Sequence, residues 1–241
     1  KKIFIYDKNK KETWDIFETD TVNLLSPVGI AVDDNDNIYV SDSILKKVIV
    51  YGPDRNVKYE IGADGGEFKR PTGIAVAPGL DRLYVADTLC HCIKVYDLKG
   101  KYMFKFGTHG GKEGEFNYPT FLWIDGKNNV YVNDFANFRI QVFDFRGAYL
   151  NKIGELGDRP GYLNKPKGIA VDNHGRIYVA DAAMDTVQIF DNKGRLLLFF
   201  GLHGASEGEF FLPAGIAINE GRIYVCDTYN SRVQIFALIR Q

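Results

Sequence analysis

The chain has 241 residues, with 45% hydrophobic and 25% charged residues and a formal net charge of −1. This is ordinary globular composition with enough apolar material for a large core, and near-neutrality supplies no basic field for nucleic acid or an anionic membrane surface. No apolar run approaches the roughly 20 residues that span a bilayer, and the three cysteines (Cys90, Cys92, Cys226) form no disulfide framework and leave the redox compartment undecided.

The first elements are strand-like. Lys2-Ile-Phe-Ile-Tyr-Asp7 and Glu12-Thr-Trp-Asp-Ile-Phe17 are short runs of β-formers bounded by polar residues. From Pro27 a repeat takes over. Its opening motif starts at Pro27, Pro71, Pro119, Pro166 and Pro213, at intervals of about 44–48 residues. Each copy predicts a first strand a (Pro-x-Gly-Ile-Ala-Val-Asp in its plainest form). Strand b follows, with a tyrosine at Tyr39, Tyr84, Tyr131, Tyr178 and Tyr224 and an aspartate at its end (Asp42, Asp87, Asp134, Asp181, Asp227). Strand c then alternates, as in Val233-Gln-Ile-Phe236, and four copies add a strand d at 57–61, 102–106, 149–153 and 196–200. Gly-rich connectors lead from d to the next proline, and two of them, 106–116 and 200–210, are nearly identical.

Four strands per repeat of roughly 40–50 residues is the pattern of a β-propeller blade. The expected fold is all-β, a single propeller domain over 1–241 built from four-stranded antiparallel blades. The N-terminal runs match strands c and d, so residues 1–20 read as a partial blade, while the last copy lacks d. A six-bladed type with an N-terminally incomplete first blade fits this, about 40 residues then lying upstream. The alternative is a five-bladed closure that uses 12–17 as the missing d strand.

The motifs Pro-x-Gly-Ile-Ala-Val-Asp, Ile-Tyr-Val-Ala-Asp and Arg-Ile-Gln-Val-Phe-Asp resemble the NHL repeat family over nearly the whole chain. The resemblance implies a bacterial six-bladed propeller, working outside the cytoplasm in the periplasm or at the cell surface, with a lipid anchor upstream. It implies no cofactor and no membrane insertion by this chain.

Strand alternation places the d-to-a connectors and b-to-c loops at one end, here the loop end, and the a-to-b and c-to-d turns at the other. The turns are short and polar and need no functional reading. The loop end carries the candidate partner-binding residues Leu45, Leu89, Phe135, Phe138, Met184 and Tyr229, with Phe116, Tyr118, Phe210 and Phe211 on the connectors. Phe121 and Trp123 stand where the other copies have glycine and alanine, and are expected to wall a pocket near the upper mouth of the channel. The five aspartates recur identically, so they read as structural acceptors for loop N–H groups. Cys90, His91, Cys92 and His109 are a metal set of low weight, because Cys-x-Cys is tight for one ion and His109 has a twin in His203. Cys226 reads as a small buried residue.

The function that fits is a non-catalytic scaffold binding another protein or peptide, with a small ligand as the lesser case and no nucleic acid. The alternatives are a metal-dependent lactonase or lyase at the channel mouth and single-stranded RNA binding. With four histidines in the chain and His174 in a turn, a three-histidine metal site is not available.

Overall fold

The structure is a computed structural model, and it describes residues 3–7, 11–16, 22–62 and 68–237. Lys2 and Phe17, assigned above to the N-terminal strands, lie outside the described residues. The chain forms two compact units, Lys1–Lys105 and Phe106–Gln241.

In the first unit, β1 (Ile3–Asp7) pairs antiparallel with β2 (Glu12–Ile16), Ile3 opposite Ile16 and Asp7 opposite Glu12. One four-stranded blade follows in β3 (Pro27–Val32), β4 (Ile38–Asp42), β5 (Lys47–Tyr51) and β6 (Val57–Ile61). The next is β7 (Pro71–Ala77), β8 (Arg82–Asp87), β9 (Cys92–Asp97) and β10 (Tyr102–Phe106). In the second unit β11 (Pro119–Ile124), β12 (Val130–Asp134), β13 (Arg139–Phe143) and β14 (Tyr149–Ile153) form one blade. Another is β15 (Pro166–Val171), β16 (Ile177–Asp181), β17 (Thr186–Phe190) and β18 (Leu196–Phe200). The last is a three-stranded sheet of β19 (Pro213–Asn219), β20 (Arg222–Asp227) and β21 (Arg232–Ala237). Strands are adjacent in chain order and antiparallel throughout, as the repeat predicts. The segment Glu12–Ile16, expected as a d-type strand, is β2, and it pairs with β1.

Strands b and c are buried on both faces wherever a blade has packed neighbours: β4, β12, β13, β16 and β17 are buried at every position. This is why strand b reads as an unbroken apolar run, since burial alternates only when one face meets water; strand c alternates in sequence, yet its Gln141 and Gln188 are buried as well. The last blade shows that contrast. Its β21 alternates, with Val233 and Ile235 exposed. Cys226 shares this fate: read from sequence as buried, it is an exposed free thiol near the end of β20.

Two features fix the spacing of blades. The first is the glycine of strand a. A Cβ added to Gly168 would stand 2.4 Å from the Ala214 carbonyl oxygen and 2.8 Å from the Ile216 nitrogen, so β19 can approach β15 only because no side chain intervenes. In β11 this glycine is replaced by Phe121, and the strand below it changes in step. Asn133, wholly buried, donates to the Pro166 and Lys167 carbonyls of β15 and to Thr120. Its amide bridges the wider gap, where in the first full blade Ser41 bonds directly to the Thr72 carbonyl.

The second feature is a buried aromatic group under two of the connectors, with Leu163 in the same place under a third. Phe116 lies against Phe106 and Phe143, and Phe210 against Phe200 and Phe236, with ring centroids 5.4–6.4 Å apart. Both Phe116 and Phe210 are fully buried, so these two connector aromatics belong to the core and not to the loop surface. Burying each is worth roughly 1.5–3 kcal/mol.

Candidate functional site: the loop end of the second unit

The loops rest on the aspartates that end strand b, all wholly buried. Asp134 accepts from the Asn117 N–H at 2.6 Å, the Asn137 amide at 2.9 Å, Arg139 Nε at 2.8 Å and Gln141 Nε2 at 3.0 Å. Asp227 repeats the pattern with the Phe211 N–H, Asn230, Arg232 and Gln234. Asp42 and Asp181 accept backbone N–H groups from both the connector and the b-to-c loop. The structural reading of these carboxylates therefore holds.

The side chains that meet the aspartate also grip the connector. Arg139 donates to the Lys112 and Glu115 carbonyls, Gln141 donates to the Glu115 carbonyl and accepts from the Gly114 N–H, and Asn137 donates to the Gly110 carbonyl. Asn230, Arg232 and Gln234 hold 204–209 in the same way. Gln188 ties down the third connector through Gly161 and Tyr162. The loop backbone is thus fixed by its own blade. Sequence reading missed this clamp, although Asn-x-Arg-x-Gln at 137–141 and 230–234, beside twin connectors, carried its signal.

Burial acts to raise the Asp227 pKa, but the hydrogen bonds from Phe211, Asn230, Arg232 and Gln234 outweigh it and hold the carboxyl below its usual range. Asp33 and Asp172, bound by Asn37 and Arg176 among others, are lowered likewise. A carboxyl with a depressed folded pKa contributes stability above its unfolded value and loses it as pH falls through the folded one. Thermal melts should therefore show a stability plateau near neutrality and a decline beginning below about pH 4, with the decline reduced in Asp227→Asn. An unchanged acid limb in that variant would contradict this account.

The candidate residues separate into exposed and covered groups. Leu89 and Tyr229 are well exposed. Leu45 is half-buried against the cluster of Leu24, Ile38 and Ile49. Phe121, Phe138 and Met184 are half-buried; Phe138 occupies a left-handed position with φ 54°, and Met184 sulfur accepts from Gln188. Phe135 is half-buried with the Lys167 ammonium 4.9 Å from its ring centroid. Burial, then the neighbouring Lys165 charge, lowers the Lys167 pKa.

What stands out at this end is a group the sequence only partly marked. His203, Phe211 and Tyr229 form an aromatic group, His203 edge-on to Phe211 and Phe211 tilted against Tyr229, with ring centroids 4.9 Å apart at each contact. Tyr229 is 65% exposed and the His203 side chain 68%. Asp185 anchors the base of the group, its carboxylate meeting His203 Nδ1 at 2.8 Å and the Leu212 N–H at 2.7 Å.

Trp123 lies elsewhere. β11 runs from the loop end at Pro119 to the turn end at Ile124, so Trp123 sits near the turns, not at the upper mouth. It lines a cavity of about 540 Å³ together with Asp125, Asp172, His174, Arg176 and Asn219. The turn end, expected to be only structural, therefore holds a concavity of ligand size.

The metal set is also corrected. Cys90 and Cys92 are joined by a disulfide, so their sulfurs are not free to serve as thiolate ligands. The donor atoms that gather within 4.8 Å are those of Asp87, Cys90 and Cys92, a group containing neither His91 nor His109. Asp87 is already occupied by the Lys69 and Arg70 N–H groups and by Lys94 Nζ at 2.9 Å. His91 ends the short 3-10 turn Thr88–Cys90 in a left-handed conformation. His109, in the second unit, is exposed on its connector.

Comparison with known proteins matches the NHL repeat at residues 163–190 and 212–236 and a 6-bladed beta-propeller family at 62–153. Protein brain tumor of Drosophila melanogaster is 38% identical over 61 residues, 25% of this chain and 6% of that protein. The chain spans well under two thirds of the length of the curated relatives it matches. Among solved structures, virginiamycin B lyase from Staphylococcus aureus, bound to quinupristin, superposes with a TM-score of 0.69 at 13% identity, covering 98% of this chain and 77% of that one. A nidogen/laminin complex gives a TM-score of 0.76 at 15% identity, covering 98% and 84%. At such identities the likeness shows the fold alone.

Proposed function

Because the chain belongs to the NHL-repeat β-propeller family, we propose that it is a non-catalytic scaffold that binds another protein or peptide through its loop end. The observation that carries this reading is the exposed aromatic group of His203, Phe211 and Tyr229 on a backbone already held by Asp185, Asp227 and Gln234. Aromatic side chains that protrude from a fixed frame are effective anchors, since they offer large contact area and few torsions to freeze. Repetition supports the non-catalytic side of the proposal: the buried aspartates are all committed to holding loops. The Cys90–Cys92 disulfide favours an oxidising compartment outside the cytoplasm.

The test is recovery of partners from the native source by the immobilised wild-type protein and by a Phe211→Ser/Tyr229→Ser double variant of unchanged circular dichroism. The expected result is a specific partner whose affinity for the variant falls more than tenfold. Equal recovery by both proteins would refute this use of the loop end.

A further inference from the structure

The cavity at the turn end differs from the site above in place and in chemistry. It is formed within the second unit by the lower ends of β11, β15 and β19 and the turns that follow them. Its volume, about 540 Å³, falls within the roughly 300–1,000 Å³ usual for small-molecule sites. The blade asymmetry is concentrated here. At the level of Trp123 the other inner strands carry Ala31, Ala75, Ala170 and Ala217. One indole among alanines lines the cavity, and its Nε1–H is a buried donor with no acceptor in the protein. Ile218 adds to the apolar wall, while Asn173, Arg176, Asn219 and Glu220 form a polar rim.

Charge narrows the class of ligand. Three carboxylates (Asp125, Asp172, Glu220) face one guanidinium, Arg176, so the lining does not favour an anion. It does not favour a bare cation either, because the two aspartates are saturated internally. Asp125 accepts from the Lys127 and Asn129 N–H groups, the Asn129 amide and the Tyr131 hydroxyl. Asp172 accepts from the His174 and Arg176 N–H groups, Arg176 Nε and the Tyr178 hydroxyl. Burial and the Asp172 charge push the Tyr178 phenol up to about 12, so it stays a donor. What is left for a ligand is the apolar wall and a rim of planar amide and guanidinium groups. Such groups match vicinal hydroxyls, and an indole face accepts the C–H side of a saturated ring.

We propose that this cavity binds a neutral sugar ring, stacked on Trp123 and hydrogen-bonded by Asn173, Arg176 and Asn219. The test titrates the protein with glucose, N-acetylglucosamine, glucuronate and choline, followed by calorimetry and by tryptophan fluorescence in a Trp14→Phe background. A neutral sugar is expected to bind saturably. Trp123→Ala, which restores the residue of the other blades, should weaken it about tenfold, and Asn219→Ala, at an exposed position, should weaken it severalfold with the fold intact. The Phe211→Ser/Tyr229→Ser variant should bind the sugar normally, which separates this site from the loop end. Absence of saturable binding by both neutral sugars, tighter binding of glucuronate or choline, or binding untouched by both cavity variants would overturn the proposal.

Discussion

Asp134→Ala is expected to destabilise the second unit by about 3–5 kcal/mol, the range for removing one partner of a buried ion pair. The carboxylate is wholly buried and the Arg139 side chain 10% exposed, so truncation strands a guanidinium in the interior together with the Asn117 N–H and two amide groups. Urea denaturation should show a lower midpoint with an unchanged slope. Asp134→Asn keeps an acceptor oxygen and loses the charge, so it should fall between wild type and alanine. Hydrogen exchange should quicken across 110–117 in both variants, because Arg139 and Gln141 hold that connector. A cost below about 1 kcal/mol would mean that the pair behaves as a surface ion pair and that the clamp is not what orders the loop.

Gly168→Ala is the second large effect, about 1–3 kcal/mol or more by overpacking. The new methyl would meet backbone, the Ala214 carbonyl at 2.4 Å, and backbone cannot swing aside as a side chain can. Gly126→Ala is the matched control: nothing lies within 4 Å of its added Cβ, so its midpoint should not move measurably. Equal midpoints for the two variants would show that β15 and β19 are not held at the distance described.

The repeat was legible because each strand type has its own chemistry. Tyrosine and aspartate along strand b and alternation in strand c recur in all five copies, glycine at close approach in four of them, and together they set the strand order in advance. The face a side chain takes was harder to read. Phe210 and Phe211 are neighbours of the same type, yet one is in the core and the other exposed, since adjacent residues point to opposite sides. Trp123 was marked by its break with alanine, but its height along β11 depends on which end of the strand faces the loops. The Cys90–Cys92 bond escaped because residues two apart are rarely paired, and here the left-handed turn at His91 brings them together. The clamps by Gln141 and Gln234 were hidden because a glutamine in an alternating strand looks like a solvent-facing residue.

The clamp separates two demands that most binding loops must meet together. A loop usually has to encode both its own shape and its contacts, so a change that improves one threatens the other. Here the shape of 201–212 is held by Asp227, Asn230, Arg232 and Gln234 of the last blade and by Asp185. Positions such as 202, 203, 211 and 229 are consequently free to vary, and a library randomised at these four positions alone would sample new specificities on a constant frame.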